Sequence, residues 1–97
     1  MTYIIYPTNK KIELPKRGYY TKGDKGIDIS IISSFLAFNF LGYEKKLNIN
    51  VDNMLGDYYG NNLICWIKKF QEDNNLIADG NIGPKTLQKL REYGLDS

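Results

Sequence analysis

The spacing of apolar residues along the chain predicts three helices. From Ile27 to about Phe40 apolar residues recur at helical spacing and extend round much of the circumference, which is typical of a central, buried helix. A second helix is predicted to begin at Asn61 or Asn62, because either residue is a good N-cap, and to end before Asn75. The polar, Asn-rich stretch 43–53 between them is interpreted as a connection.

The third helix has the clearest boundaries. Gly83 precedes Pro84, and proline suits the first helical position because the N–H that it lacks would be unpaired there. Gly94 lies where a left-handed C-cap is expected. Three short helices joined by turns predict an all-α fold, a small three-helix bundle.

The N-terminal stretch has a different pattern. Residues 3–6, Tyr-Ile-Ile-Tyr, have β propensity, and Pro7 and Pro15 then interrupt the chain. We therefore divide the sequence into an extended arm, residues 1–16, that serves as a linker or docking arm, and a helical domain, residues 17–97. A short added strand or an oligomer contact is the alternative for the arm.

Two stretches of the chain form an internal repeat. When Gly60 is aligned with Gly83, Tyr59 matches Ile82 and Met54 matches Ile77. Each unit reads as an apolar residue, a tight Gly/Asp turn, an apolar residue, a glycine and a helix. The pattern predicts two repeated corners in which the apolar residue before the glycine is buried under the helix that follows, so Tyr59 is predicted to be a core residue.

Composition excludes several classes of function. The chain has no histidine and one cysteine, which removes a Cys–His nucleophilic pair, an intrachain disulfide and the commonest metal ligand. A net charge of +2, with both signs mixed along the chain, does not indicate a nucleic-acid-binding protein. No stretch has the length of a membrane span, and the N-terminus lacks a signal pattern. We expect no cofactor, no metal, and no nucleic-acid or membrane partner.

Catalysis by a pair of carboxylates is also disfavoured. The candidates are Asp24, Asp28, Asp57 and Asp79, and three of the four lie in turns where aspartate is favoured for local hydrogen bonding. We therefore expect a binding protein and not an enzyme.

The later part of the chain carries an ordered set of motifs. Phe70-Gln71 is followed by Leu76 and then by Asp79-Gly80-Asn81-Ile82-Gly83-Pro84-Lys85-Thr86, and the stretch 17–26, Arg-Gly-Tyr-Tyr-Thr-Lys-Gly-Asp-Lys-Gly, precedes the first helix. With these motifs, residues 14–95 resemble the peptidoglycan-binding domain family found at the ends of bacterial amidases, muramidases and phage endolysins.

The resemblance implies a non-catalytic module that targets a wall-lytic enzyme, such as a bacteriophage endolysin, to a bacterial wall of the Gram-positive type. Its partners would be peptidoglycan or a wall-associated glycopolymer, and a hydrolase catalytic domain in cis or in trans. Action at the wall without a signal peptide implies release by another route or as part of a larger protein.

Three features of the sequence depart from the family pattern. Ser33 stands where the family generally has glutamine, and Gly56-Asp57 inverts the expected Asp-Gly. Trp66 occupies a position that is commonly alanine. Because of these departures, a ligand pocket is not transferred from the family.

The candidate ligand-binding residues are aromatic and polar side chains close to the predicted turns, which suit the sugar faces and amides of peptidoglycan. They are Tyr19, Tyr20, Tyr58, Trp66, Asp79, Asn81 and Lys85. For the last three, shaping and capping the turn is the alternative. For Trp66, burial in helix packing, lining a groove and forming an oligomer contact are equally open, and Cys65 is expected to be an inert thiol.

A second function belongs to a different class. The aromatic arm and Trp66 suggest an interaction module that forms a homo-oligomer or joins a full-length hydrolase.

Overall fold

The computed structural model describes residues 11–96, and this part of the chain is helical. Its helices are α1 (Ile27–Asn39), α2 (Tyr43–Leu47), α3 (Val51–Met54), α4 (Asn61–Asp73) and α5 (Pro84–Glu92). Within residues 11–96 the chain forms isolated β-bridges but no β-strand. The all-α prediction is confirmed, whereas the predicted strand tendency of residues 3–6 lies outside the described residues.

The ends of α4 and α5 lie where the sequence predicts them. After α4, Asn75 is left-handed with φ 58°, and the Leu76 N–H donates to the Gln71 carbonyl at 2.9 Å. After α5, Gly94 has φ 114°, and the Leu95 N–H donates to the Leu90 carbonyl at 3.1 Å. Both ends use the same capping geometry, in which a left-handed residue satisfies the last helical carbonyls.

The connection between α1 and α4 contains two short helices that the apolar pattern did not predict. Asn48 ends α2 with a left-handed φ of 53°, and the Asn50 side chain caps α3 by accepting from the Asp52 N–H at 2.8 Å. Glu44 also accepts from the Val51 N–H at 2.8 Å. The polar residues interpreted as a loop therefore cap helices, and both helices contact α4.

The core is built on α1 and α4. Ile29, Ile32 and Leu36 of α1 are fully buried. The other buried apolar side chains come from every part of the described chain: Ile12, Tyr43, Met54, Tyr59, Leu63, Trp66, Ile67, Phe70, Ile82, Leu87, Leu90 and Leu95.

An aromatic cluster joins the end of α1 to three other helices. The Phe40 ring is stacked on Tyr43 at 5.3 Å, and it meets Phe70 at 5.3 Å and Tyr93 at 5.2 Å in edge-to-face geometry. Aromatic pairs of this kind contribute about 0.5–1.5 kcal/mol beyond the burial of their area. The cluster fixes α2, α4 and α5 relative to α1.

The described part of segment 1–16 is packed against the domain. The Ile12 side chain is 0% exposed, its N–H donates to Asp96 Oδ2 at 2.9 Å, and its carbonyl accepts from Arg91 Nη2 at 2.5 Å. Residues 12 and 96 are therefore direct neighbours. The division of the chain at residue 17 stays a prediction.

One segment, residues 20–26, pairs with both corners of the repeat. Tyr20 and Ile82 exchange two backbone hydrogen bonds of 3.0 Å. Further along, the Gly23 N–H donates to the Tyr59 carbonyl at 2.9 Å, and the Tyr59 N–H donates to the Asp24 carbonyl at 2.8 Å. The segment thus holds the starts of α4 and α5 side by side.

The repeat is confirmed at its centre and wrong at one end. Gly60 and Gly83 cap α4 and α5 with nearly the same backbone angles, φ −103° and ψ −174° against φ −94° and ψ −168°. Tyr59, the residue before the first of these glycines, is fully buried, as predicted. Met54 and Ile77, which the alignment also pairs, differ: the first is buried and the second is 84% exposed, so this match has no structural meaning.

Candidate functional site

The second corner is held by a buried glutamine. Gln71 on α4 is 1% exposed, and its Oε1 accepts from the Gly80 N–H at 2.9 Å. Its Nε2 shares two N–H groups among three acceptors: the Asn81 carbonyl at 2.8 Å, Thr86 Oγ1 at 3.0 Å and Asp79 Oδ1 at 3.1 Å. The Phe-Gln and Asp-Gly motifs therefore form one structural unit.

Asp79 and Asn81 shape this turn. Asp79 Oδ1 accepts from the Asn81 N–H at 2.9 Å, and Asn81 Oδ1 accepts from the Thr21 hydroxyl at 2.7 Å. Asparagine and aspartate commonly stabilise turns in this way. Shaping the turn, which was the alternative to ligand binding, therefore describes both side chains. Lys85 is an exposed residue in the first turn of α5.

The first corner is held by a serine in the corresponding role. Ser33 on α1 is 0% exposed, and its Oγ accepts from the Gly56 N–H at 3.2 Å. The same hydroxyl lies 3.1 Å from the carbonyls of Gly56 and Ser30. Serine at the position where glutamine was expected therefore still contacts the turn that follows.

Two tyrosines fix the shared segment and the second corner. The Tyr20 hydroxyl lies 2.6 Å from Asp28 Oδ2 and 2.6 Å from the Glu13 carbonyl. Burial and then the Asp28 carboxylate raise the pKa of Tyr20. The Tyr59 hydroxyl donates to the Gly80 carbonyl at 2.6 Å, and burial is the main cause that raises the pKa of Tyr59. The Tyr20 hydroxyl therefore ties the segment before α1 to that helix.

Trp66 is a core residue, which corrects its place among the candidate ligand contacts. Its side chain is 0% exposed and meets the Tyr43 ring edge-to-face at 5.7 Å. A ligand at the surface cannot reach a ring with no exposed area, so helix packing is the alternative that holds. Its Nε1 has no hydrogen-bond partner among the described residues. Cys65, the next residue towards the N-terminus, is exposed.

Tyr19 and Tyr58 are the candidate aromatic residues with exposed rings. Tyr19 is 41% exposed, with the Arg17 guanidinium 5.4 Å from its ring centroid. Tyr58 is 48% exposed, with Lys25 Nζ at 5.8 Å. Of the candidate residues, only Tyr58 lines the open groove next to α4.

This groove lies where the turn after α3 meets the first turn of α4. It has a volume of about 510 Å³. Its lining residues are Asn53, Met54, Leu55, Gly56, Asp57, Tyr58, Gly60, Asn61, Asn62 and Leu63. Sequence reasoning found Tyr58 but missed the three asparagines, although two of them were recognised as possible helix caps.

Backbone geometry shapes the floor of the groove. A Cβ on Gly60 would approach two Tyr58 ring carbons to 3.3 Å, so glycine lets this ring lie close to the backbone. Gly60 also begins α4 without a side-chain cap among the described residues. Because the first N–H groups of a helix have no intrahelical partner, those of α4 are donors at the groove.

Other site classes find no support in the part of the chain that the structure covers. Residues 11–96 contain no group of three or more His, Cys, Asp or Glu side chains that could hold a metal ion. None of the helices described here has both the length and the apolar character required to cross a membrane.

Comparison with known proteins gives one match. The model of a family described as "Putative peptidoglycan binding domain" matches residues 36–90, which is more than half of the 97-residue chain and includes the whole groove. No curated protein and no solved structure shows significant similarity to the chain. The matched segment runs from the end of α1 to the last turn of α5, and the chain belongs to the peptidoglycan binding domain family.

Proposed function

We propose that this chain is a non-catalytic module that holds a wall-lytic enzyme on bacterial peptidoglycan through the groove at the start of α4. The observation that carries the proposal is the position of the groove, because every lining residue falls within the family match. The groove combines an exposed aromatic ring with several side-chain amides, which can pack on a sugar face and fix its orientation.

The acidic side chains support binding over catalysis. Asp24 pairs with Arg17, and Asp79 is engaged in its turn. Lys69 donates to Asp73 and is the main cause that lowers the pKa of that carboxyl. A general acid for glycoside hydrolysis needs a raised pKa, so the environment of Asp73 acts in the opposite direction.

The benefit to an enzyme is local concentration. A hydrolase joined to this module, in cis or in trans, meets its polymer at an effective concentration set by the connection and not by its bulk concentration. We propose a phage endolysin acting on a Gram-positive wall as the enzyme of this kind.

A pulldown on purified sacculi tests the function. A fluorescent fusion of the full chain should be retained on sacculi. The Tyr58→Ala variant should no longer be retained, whereas the Tyr19→Ala variant should be, because both rings are exposed but only Tyr58 lines the groove. Circular dichroism of both variants controls for folding. Absence of retention on every sacculus tested would overturn the targeting function. Loss only after removal of wall teichoic acids would move the ligand away from peptidoglycan.

Of the two observations that suggested an assembly function, the aromatic arm and Trp66, the second no longer supports it. Trp66 is buried within its own domain, and the aromatic residues of the arm lie outside the described residues. Wall targeting is therefore the function that we propose. Size-exclusion chromatography with light scattering, on the chain alone and mixed with a full-length hydrolase, tests assembly directly.

A further inference from the structure

We infer that the groove at the start of α4 binds the N-acetylated glycan strand of peptidoglycan and not its stem peptides. This inference rests on the proposed function, and it assigns the part of the polymer that the groove contacts.

The charge of the groove is the first argument. Of the described residues that line it, Asp57 is the only charged one, and none is basic. Stem peptides end in carboxylates and teichoic acids carry phosphates, so both ligands would bring negative charge towards Asp57. Like charges in proximity disfavour binding, whereas a sugar chain whose lactyl carboxyl groups are held in amide bonds is neutral and meets no such penalty.

The hydrogen-bonding groups supply the second argument. Each glycan unit carries an acetamido group with one carbonyl acceptor and one N–H donor. The first N–H groups of α4, which Gly60 provides with no side-chain cap, can donate to the carbonyl. Asn62 Nδ2 donates to the Asn53 carbonyl at 3.0 Å, which leaves Asn62 Oδ1 as an acceptor for the acetamido N–H. Asn61 adds a further exposed amide.

The aromatic ring supplies the third argument. Tyr58 presents about half of its surface, and its ring lies against the Gly60 backbone, which restricts its position. The apolar C–H face of a pyranose ring packs against such a platform. Lys25 Nζ is 5.8 Å from the ring centroid, and an exposed contact of this kind is weak enough for a sugar to displace.

Lys25 also separates the two ligand classes. Its ammonium group lies over the Tyr58 ring. If the ligand were anionic, Lys25→Ala would remove the attraction that holds it. If the ligand is a neutral glycan, Lys25→Ala leaves affinity nearly unchanged, and raising the salt concentration has little effect.

Calorimetric titration of the full chain with four probes tests the inference. The probes are glycan strands stripped of stem peptides with their lactyl carboxyl groups converted to neutral amides, the released stem peptides, an N-acetylglucosamine hexamer and cellohexaose, which lacks the acetamido groups. We expect the stripped glycan and the N-acetylglucosamine hexamer to bind and the stem peptides not to bind. Cellohexaose should bind roughly tenfold more weakly, because unpaired polar groups then stay in the groove.

Variants complete the design. Tyr58→Ala should weaken glycan binding about tenfold, whereas Tyr58→Phe keeps the ring and should stay within about threefold. Retention of the chain on intact sacculi combined with binding to stem peptides, or with a large loss in Lys25→Ala, would overturn the glycan assignment and leave the targeting function standing. If the chain also fails to bind intact sacculi, both the glycan assignment and the targeting function are overturned.

Discussion

Gln71 Oε1 accepts a hydrogen bond from the Gly80 N–H at 2.9 Å, so a buried helix side chain satisfies the backbone of a turn nine residues later. Ser33 stands in the same relation to Gly56, with a hydroxyl in place of an amide. Each corner of the domain is thus held by the long helix that precedes it, α1 for the first and α4 for the second.

Replacement of Gln71 by methionine should destabilise the domain. The variant keeps most of the side-chain volume but leaves the buried Gly80 N–H and Thr86 hydroxyl without this partner, at a cost of about 2 kcal/mol, which lowers Tm by roughly 10 °C. Urea denaturation measures the change. Gln88→Met, at an exposed position on α5, is the matched control and should change stability by less than about 0.5 kcal/mol. Equal effects in the two variants would contradict this role.

Gly80→Ala should be more harmful than an ordinary glycine substitution. Gly80 has φ 78°, and a Cβ there would lie 2.8 Å from Ile64 Cγ2, so backbone strain and overlap add to more than about 2 kcal/mol. Gly42→Ala is the control, because Gly42 has φ −59° with open space around it and should be neutral or slightly stabilising. Thermal denaturation of both variants compares them, and a neutral Gly80→Ala would show that the turn can move away from α4.

Ile12→Ala tests the proposed division at residue 17. Because Ile12 is fully buried, its truncation should lower the free energy of unfolding by about 2–4 kcal/mol, as truncation of a core residue does. This loss is expected although Ile12 precedes the proposed division. Lys11→Ala, at the exposed neighbouring position, should have little effect. If chemical denaturation finds Ile12→Ala as stable as the parent, the helical domain does begin near residue 17.

Alkaline pH should destabilise the domain through its buried tyrosines. Burial raises the pKa of Tyr59 in the folded state, so the stabilisation is complete below about pH 10, the ordinary tyrosine pKa, and is lost as the pH rises further. Each such group adds a slope of about 1.4 kcal/mol per pH unit. Tyr59→Phe loses its hydrogen bond to Gly80 at pH 7, but its stability should fall less steeply above pH 10. Urea denaturation from pH 7 to 11 decides this, and parallel curves would contradict it.

Local chemistry allowed much of the fold to be predicted. Pro84, Asn75 and Gly94 mark helix ends through backbone angles that depend on a few adjacent residues, so the sequence contains the information. The short helices α2 and α3 were missed because four or five residues show no helical period. Their capping asparagines were visible, yet asparagine is equally common in loops.

The candidate site was less predictable because it depends on distant contacts. Tyr58 was identified from its position beside a turn, but Asn53 and Asn62 become part of a groove only when α3 packs against α4. For Trp66, a large ring at a small-residue position left burial, a groove and an oligomer contact equally open, and the structure buries the ring with Tyr43 packed edge-to-face against it. Tertiary packing decides both outcomes.

The bond between the Ile12 N–H and Asp96 has a consequence for fusion proteins. A polypeptide attached before the first of these residues and one attached after the second would leave the domain from the same spot. Both connections would then lie at one side of the module, so the module would not act as a rigid spacer between the neighbouring domains. Inserting the module into a surface loop of another protein should therefore leave the two ends of that loop close together.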